Sequence, residues 1–150
     1  MTLIKNISGF RGTVGGPPKE NLTPFDIVTS VSAFCKFLKE KYNTNKLIVT
    51  TGRDGRASGE NFHTIVNRTI SLMGIDVIDA GLSTTPTVCW GVLTNESNGG
   101  IMITASHNPE EYNGLKFFND DGEFLSREDM TKVIEYSNTT DFEYQNTMNL

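Results

Sequence analysis

The stretch Lys46-Leu47-Ile48-Val49-Thr50-Thr51-Gly52 decides how this chain folds. Its centre, Leu47-Ile48-Val49, is short, branched and apolar, as a strand buried on both faces should be, and Gly52 ends it. Strands of that kind belong to parallel sheets with helices on either side. Moving toward the C-terminus, Ser58 is placed to cap a helix with an inward face of Phe62, Ile65, Val66, Thr69, Leu72 and Met73, and Gly74 stands where a left-handed cap belongs. Residues 75–79 then read as a strand. Thr85 and Pro86 open a short helix through Val88, Cys89, Trp90, Val92 and Leu93, and Gly100-Ile101-Met102-Ile103-Thr104 reads as the next strand. Toward the N-terminus, Thr23, Pro24 and Asp26 supply an N-cap, a first-turn proline and an acid, ahead of Ile27, Val28, Val31, Phe34, Cys35 and Leu38 at helical spacing. Residues 3–8 make a short first strand, and Gly9, Gly12, Gly15, Gly16, Pro17 and Pro18 predict a loop after it.

This alternation of strand and helix predicts an α/β fold, a three-layer α/β/α sandwich with a mixed, mostly parallel sheet. The mixture comes from residues 115–118, a strand too close to the one before it for a helical crossover, which must return antiparallel. Ser126 and Asp129 cap a last helix through Met130, Val133 and Ile134. Residues 1–137 are therefore expected to form one domain, and the polar, aperiodic residues 138–150 a linker toward further domains.

With 150 residues, of which 37% are hydrophobic, the chain can bury one good core. A net charge of -5 argues against a nucleic-acid or anionic-membrane surface, either of which needs clustered Lys and Arg. Cys35 and Cys89 fit neither a zinc spacing nor a redox pair and read as buried free thiols. No basic region followed by an apolar run marks a secretion signal, and no stretch approaches a membrane span, so a cytoplasmic setting is expected.

Chemistry concentrates after the Ile101-Met102-Ile103 strand, because ligands of α/β sheets gather at the carboxyl ends of strands and Ser106 lies just beyond this one. A serine hydroxyl is a weak nucleophile, and His107, its immediate neighbour, is poorly placed as its base. With no G-x-S-x-G elbow a serine hydrolase is disfavoured, and no G-x-x-x-x-G-K-[ST] loop is present for a nucleotide.

The segment Thr104-Ala105-Ser106-His107-Asn108-Pro109, followed by Tyr112-Asn113-Gly114-Leu115-Lys116, resembles the phosphoserine loop of the α-D-phosphohexomutases, which interconvert sugar 1-phosphates and 6-phosphates. Ser8-Gly9-Phe10-Arg11-Gly12-Thr13 and Gly52-Arg53-Asp54-Gly55-Arg56-Ala57-Ser58-Gly59 fall at matching places, and Gly81-Leu82-Ser83-Thr84-Thr85-Pro86-Thr87 matches more loosely. Together these cover nearly the whole chain in family order. The resemblance implies a phosphoryl group on Ser106 that passes to a sugar monophosphate, giving a bisphosphorylated sugar that then returns its other phosphoryl group. It also implies Mg²⁺, bound through the Ser106 phosphate and by an aspartate-rich loop of another domain, which these residues lack. The expected partners are thus a sugar phosphate substrate and the remaining domains of the same chain, and the domain alone should be inactive. The sugar is open among glucose, mannose and glucosamine phosphates.

Phosphoryl transfer is catalysed by positioning and by cations that neutralise the transferring oxygens. Arg11, in the glycine-rich first loop, can grip phosphate oxygens with a forked guanidinium. Lys116, after an Asn113-Gly114 turn, points by resemblance into the site and can also move a proton, and His107 can donate to sugar or phosphate oxygens or take part in acid/base work. The expected catalytic residues are therefore Ser106, His107, Lys116 and Arg11, with Ser106 also the metal-contacting position. Plainer readings stand beside these. His107 could merely orient its loop, while Asn108, Pro109, Asn113 and Gly114 shape turns. Arg53, Asp54 and Arg56 pair with one another or brace a neighbouring loop, and residues 119–123 form a solvated hairpin turn rather than a metal loop. His63 and Trp90 are accounted for by packing. A non-catalytic sugar-phosphate binding or regulatory domain of the same fold is the alternative, and the presence of Ser106, Arg11 and Lys116 together argues against it.

Overall fold

The computed structural model describes residues 1–145. Six strands, β1 (Ile4–Asn6), β2 (Gly9–Thr13), β3 (Ile48–Arg53), β4 (Asp76–Leu82), β5 (Gly99–Ile103) and β6 (Tyr112–Phe118), join in one sheet of order β1-β2-β6-β5-β3-β4. Four helices accompany them: α1 (Pro24–Lys41), α2 (Gly59–Leu72), α3 (Thr85–Thr94) and α4 (Arg127–Tyr136). Helices α1, α2 and α4 pack on one face and α3 on the other, which gives the expected three layers. The sheet is mixed. Its parallel part is smaller than the alternation suggests, with β3–β4 and β3–β5 parallel and β1–β2, β2–β6 and β5–β6 antiparallel.

Local signals account for most of the helices. Thr23 and Asp26 form a reciprocal capping box at the start of α1, which satisfies two amides that would otherwise lack partners, and Pro24 fixes the first turn. Thr84 caps α3 and Ser126 caps α4 through the backbone amides three residues on. The main core lies between the sheet and the larger helical layer, where Phe34 packs on Phe117 with centroids 5.0 Å apart and Phe10 meets Phe117 edge-on at 5.3 Å. Burial of each such ring stabilises the fold by roughly 1.5–3 kcal/mol. Opposite, Val88, Met102 and Phe118 form a smaller cluster beneath α3. That helix sits close on β5 because Gly100 has no side chain: a β-carbon there would come within 2.7 Å of Val92 Cγ2 and 3.3 Å of the Thr50 carbonyl.

Several expectations need correcting. The first strand is a hairpin, and residues 9–13, expected as loop, are strand β2. Pairing with β6 overrides the low strand propensity of glycine, since Phe10 pairs with Leu115 and is anchored in the core. Asn113 and Gly114 are not a turn but part of β6, where a β-carbon on Gly114 would meet the Phe10 carbonyl at 2.3 Å. Gly114 is there for close strand approach. Ser58 does not cap α2 with its side chain; its Oγ accepts instead from Asn113 Nδ2 at 2.9 Å, tying the helix start to β6. Leu72 is 37% exposed, and Ile70 and His63 take inward places on α2. Gly74 does adopt φ +79° past that helix.

Cys35 is buried as expected, but Cys89 is only partly so. Burial pushes the Cys35 thiol up to about 12 and also raises Cys89, so neither is a ready thiolate. Of the expected linker, residues 138–145 lie against the domain, with Tyr144 Oη 2.9 Å from Ser32 Oγ and the Gln145 N–H donating to the Leu72 carbonyl. Residues 146–150 lie outside the described residues. Among the described residues, no helix is long and apolar enough to cross a membrane.

Candidate functional site

Ser106 stands three residues past β5, and its backbone is left-handed at φ +54°, a conformation that costs a non-glycine residue on the order of 1 kcal/mol or more. A chain of polar contacts holds it there. The Ser106 N–H donates to Thr104 Oγ1 at 2.9 Å, the Thr104 hydroxyl donates to Asp54 Oδ2 at 2.6 Å, and the Asp54 N–H donates to the Ile103 carbonyl at 3.1 Å. Within the loop the Asn108 N–H donates to the Ala105 carbonyl at 3.1 Å.

Arg56 completes the support. Its Nη1 donates to the carbonyls of Pro109 and Tyr112 at 2.7 and 2.9 Å, and its Nη2 to those of Ser106 and Asn108 at 2.9 and 2.8 Å. Nε lies 3.4 Å from Asp54 Oδ2, an ion-pair contact without hydrogen-bond geometry. The bracing role expected of residues 53–56 thus falls to Arg56 and Asp54, whereas Arg53 reaches only the Asp54 carbonyl at 3.3 Å.

Ser106, His107, Arg11 and Lys116 line one cavity of about 100 Å³, together with Asn6 and Ser8. Two adjacent strands deliver the two cations. Arg11 is on β2, opposite Gly114, and Lys116 is on β6, opposite Met102. Because side chains alternate along a strand, Phe10, Leu115 and Phe117 enter the main core while Arg11 and Lys116 stand on the reverse face. Helix α3 packs on β3, β4 and β5 and reaches β6 only at its last residue, Phe118, so Arg11 and Lys116 stand on this face outside the cluster beneath α3. Arg11 is on a strand rather than in the expected loop, which fixes it more firmly. Its Nη1 donates to Asn108 Oδ1 at 3.2 Å, so Asn108 orients a cation as well as shaping the turn. Lys116 Nζ lies 5.7 Å from the centre of the half-exposed Phe124 ring. Ser106 and His107 are both exposed to the cavity mouth.

The other polar clusters lie elsewhere. Larger hollows of about 390 and 460 Å³ are lined by Lys5, Lys19 and Phe25 and by Tyr42 and Asn43 respectively, and neither includes any residue of the Ser106 loop. His63 is buried on α2, with Nε2 3.0 Å from Thr51 Oγ1 and 3.3 Å from Asp79 Oδ1, and burial lowers its pKa despite the nearby Asp79. Trp90 is 66% exposed on α3. In the turn at residues 119–123, Asn119 Oδ1 accepts from the amides of Asp121 and Glu123, which is turn chemistry. Among the described residues, no group of three or more His, Cys, Asp or Glu side chains could hold a metal ion. The residues present therefore do not make a Mg²⁺ site by themselves.

Comparison with known proteins points the same way. The family model "Phosphoglucomutase/phosphomannomutase, alpha/beta/alpha domain I" matches residues 3–144. The chain is 37% identical over 134 residues to a probable phosphoglucosamine mutase of Methanosphaera stadtmanae, covering 88% of this chain and 28% of that protein. It is 38% identical over 133 residues to a phosphoglucomutase/phosphomannomutase of Thermococcus kodakarensis, covering 87% and 29%. The crystal structure of a putative phosphomannomutase from Thermus thermophilus superposes with a TM-score of 0.80 at 26% identity, over 91% of this chain and 30% of that one. The chain thus spans under a third of the length of these relatives.

Proposed function

The chain belongs to the phosphoglucomutase/phosphomannomutase family as its α/β/α domain I, and from that membership we propose that Ser106 carries the phosphoryl group exchanged with a sugar phosphate in a phosphohexomutase. One observation carries the proposal: Ser106 opens onto a cavity shared with Arg11, Lys116 and His107, which puts two cations and an imidazole beside its exposed hydroxyl.

In the forward half-reaction, a free hydroxyl of the sugar monophosphate attacks the phosphorus on Ser106. The new bond is sugar O–P, the broken bond is P–Oγ of Ser106, the sugar hydroxyl proton goes to a basic group at the site, and Oγ takes up a proton. The bisphosphorylated sugar then returns its other phosphoryl group by the reverse of these steps, so the net change is an isomerisation. Arg11 and Lys116 neutralise charge on the equatorial oxygens, the principal demand of this chemistry. His107 and Lys116 are the groups placed to move the protons. Mg²⁺, expected from the resemblance, would receive from the described residues only an oxygen of a Ser106 phosphate.

The cavity of about 100 Å³ is well below the roughly 300–1,000 Å³ of pockets that enclose a small ligand. We therefore assign the remaining walls, the sugar preference and the other metal ligands to further domains of a longer protein, without which the domain is inactive. The test is intact-mass analysis of the complete gene product before and after incubation with glucose 1,6-bisphosphate, followed by peptide mapping. One phosphoryl group is expected on Ser106 and none on a Ser106→Ala variant, which should lose nearly all turnover. A wild-type protein that never carries phosphate on Ser106 would refute the proposal. Assays on the 1-phosphates of glucose, mannose and glucosamine then identify the sugar.

A further inference from the structure

Four carbonyls converge on one guanidinium at the base of the Ser106 loop, and this dictates where the loop's amides point. In a trans peptide, C=O and N–H lie in one plane and point in opposite directions, and among the described residues there are no cis bonds. The Ser106 carbonyl is turned onto Arg56 Nη2, so the His107 N–H of the same peptide unit points away from Arg56. Arg56 does not line the cavity that Ser106 and His107 line, so the loop lies between the guanidinium and the cavity.

The amides on either side of His107 are committed, and the position after Asn108 has none. The Ser106 N–H is taken by Thr104 Oγ1 and the Asn108 N–H by the Ala105 carbonyl, while the unit whose carbonyl is Asn108 continues into Pro109, which has no N–H. Among the described residues, no acceptor takes the His107 N–H. An arginine side chain that is only 11% exposed, with both terminal nitrogens bonded to main-chain carbonyls, has no free fork with which to hold a ligand itself. Its effect must pass through the loop it orders.

Resting on the phosphoserine function proposed above, we infer that Arg56 is a positioning residue that aims the His107 N–H at a phosphoryl group on Ser106, making that amide a phosphate-binding donor. Oriented backbone amides are effective at this because their dipoles are fixed before charge arrives and need no reorganisation. Lysine cannot substitute, since one ammonium has three donors on a point charge and cannot span four carbonyls.

Amide NMR on the complete gene product tests this. Labelling with carbonyl-13C serine and 15N histidine picks out the Ser106–His107 unit, the only Ser–His pair in these 150 residues. Phosphorylation with glucose 1,6-bisphosphate is expected to move the His107 amide proton downfield in the wild type. In Arg56→Lys that shift is lost, and kcat falls by about a hundredfold with KM within about twofold, as a misplaced reacting group costs. A variant that melts lower but retains both the shift and kcat would show Arg56 to be merely structural and overturn the inference. An unmoved His107 amide in phosphorylated wild type overturns it as well, and that measurement needs no variant to fold. Absence of any phosphate on wild-type Ser106 is a separate outcome, read by mass, that removes the proposed function and this inference with it.

Discussion

Strands β3, β4 and β5 run parallel to one another and carry helices on both faces, whereas β6, β2 and β1 run antiparallel and, apart from Phe118 at the end of β6, lie outside the cluster beneath α3. In the covered half, the second face is filled by Val88, Met102 and Val92, each buried to within 1%. In the bare half, the same face presents Arg11 and Lys116 beside Ser106. One sheet thus supports two tasks, with stability resting on apolar burial where α3 lies and, on the function proposed above, chemistry resting on cations where it does not. The boundary is β5, whose carboxyl end passes directly into the Ser106 loop.

Exchanging a property of one half should leave the other largely intact. Lys116→Met on the bare face should lower kcat by about a hundredfold to a thousandfold, the usual loss when a charge-stabilising donor is removed, with little change in the urea unfolding midpoint. A large fall in that midpoint would mean that the bare face is structural after all. Gly100→Ala in the covered half should do the reverse. Its β-carbon would push on Val92 and the Thr50 carbonyl, costing roughly 1–3 kcal/mol in urea unfolding, while Ser106 still takes up a phosphoryl group in the folded protein.

The smallest effect is a pH slope from the helical layer behind the covered half. Burial holds the His63 pKa below its ordinary 6.5, so the unfolded chain binds the proton more readily than the folded one. The contribution of His63 to stability is therefore full above 6.5 and is lost as pH falls from there through the folded value. Urea midpoints measured between about pH 7.5 and about pH 5.5 should decline with acidification, and less steeply in His63→Gln. Equal slopes would assign the decline to other groups.

Much of this was legible in the order of residues. The buried run at residues 47–49, the capping signals at Thr23 and Ser126 and the 3.6-residue period of α1 and α2 mark a covered strand, two helix starts and two amphipathic faces, which local spacing records directly. Strand β2 was hidden because its glycines argue for a loop, and only the antiparallel partner β6, about a hundred residues later, supplies the hydrogen bonds that make it a strand. Ser58 was misread as a side-chain cap for a similar reason: its hydroxyl is claimed by Asn113 across the fold. Arg56 reads in sequence as a partner in a local charge pair or a brace for a neighbouring loop, and nothing near it reveals which loop or the four carbonyl acceptors lying 50 to 56 residues away.

By itself, then, the sequence determined the layered α/β class, the helices and the family resemblance of the Ser106 loop, because periodicity, caps and contiguous motifs are properties of neighbouring residues. Tertiary structure decided that β2 and β6 pair, that α3 reaches them only at Phe118, and that Arg11 and Lys116 consequently share one cavity with a serine held at positive φ. Those features depend on contacts between residues far apart in the chain, where the energy of strand pairing and of a buried guanidinium outweighs the local preferences that the sequence displays.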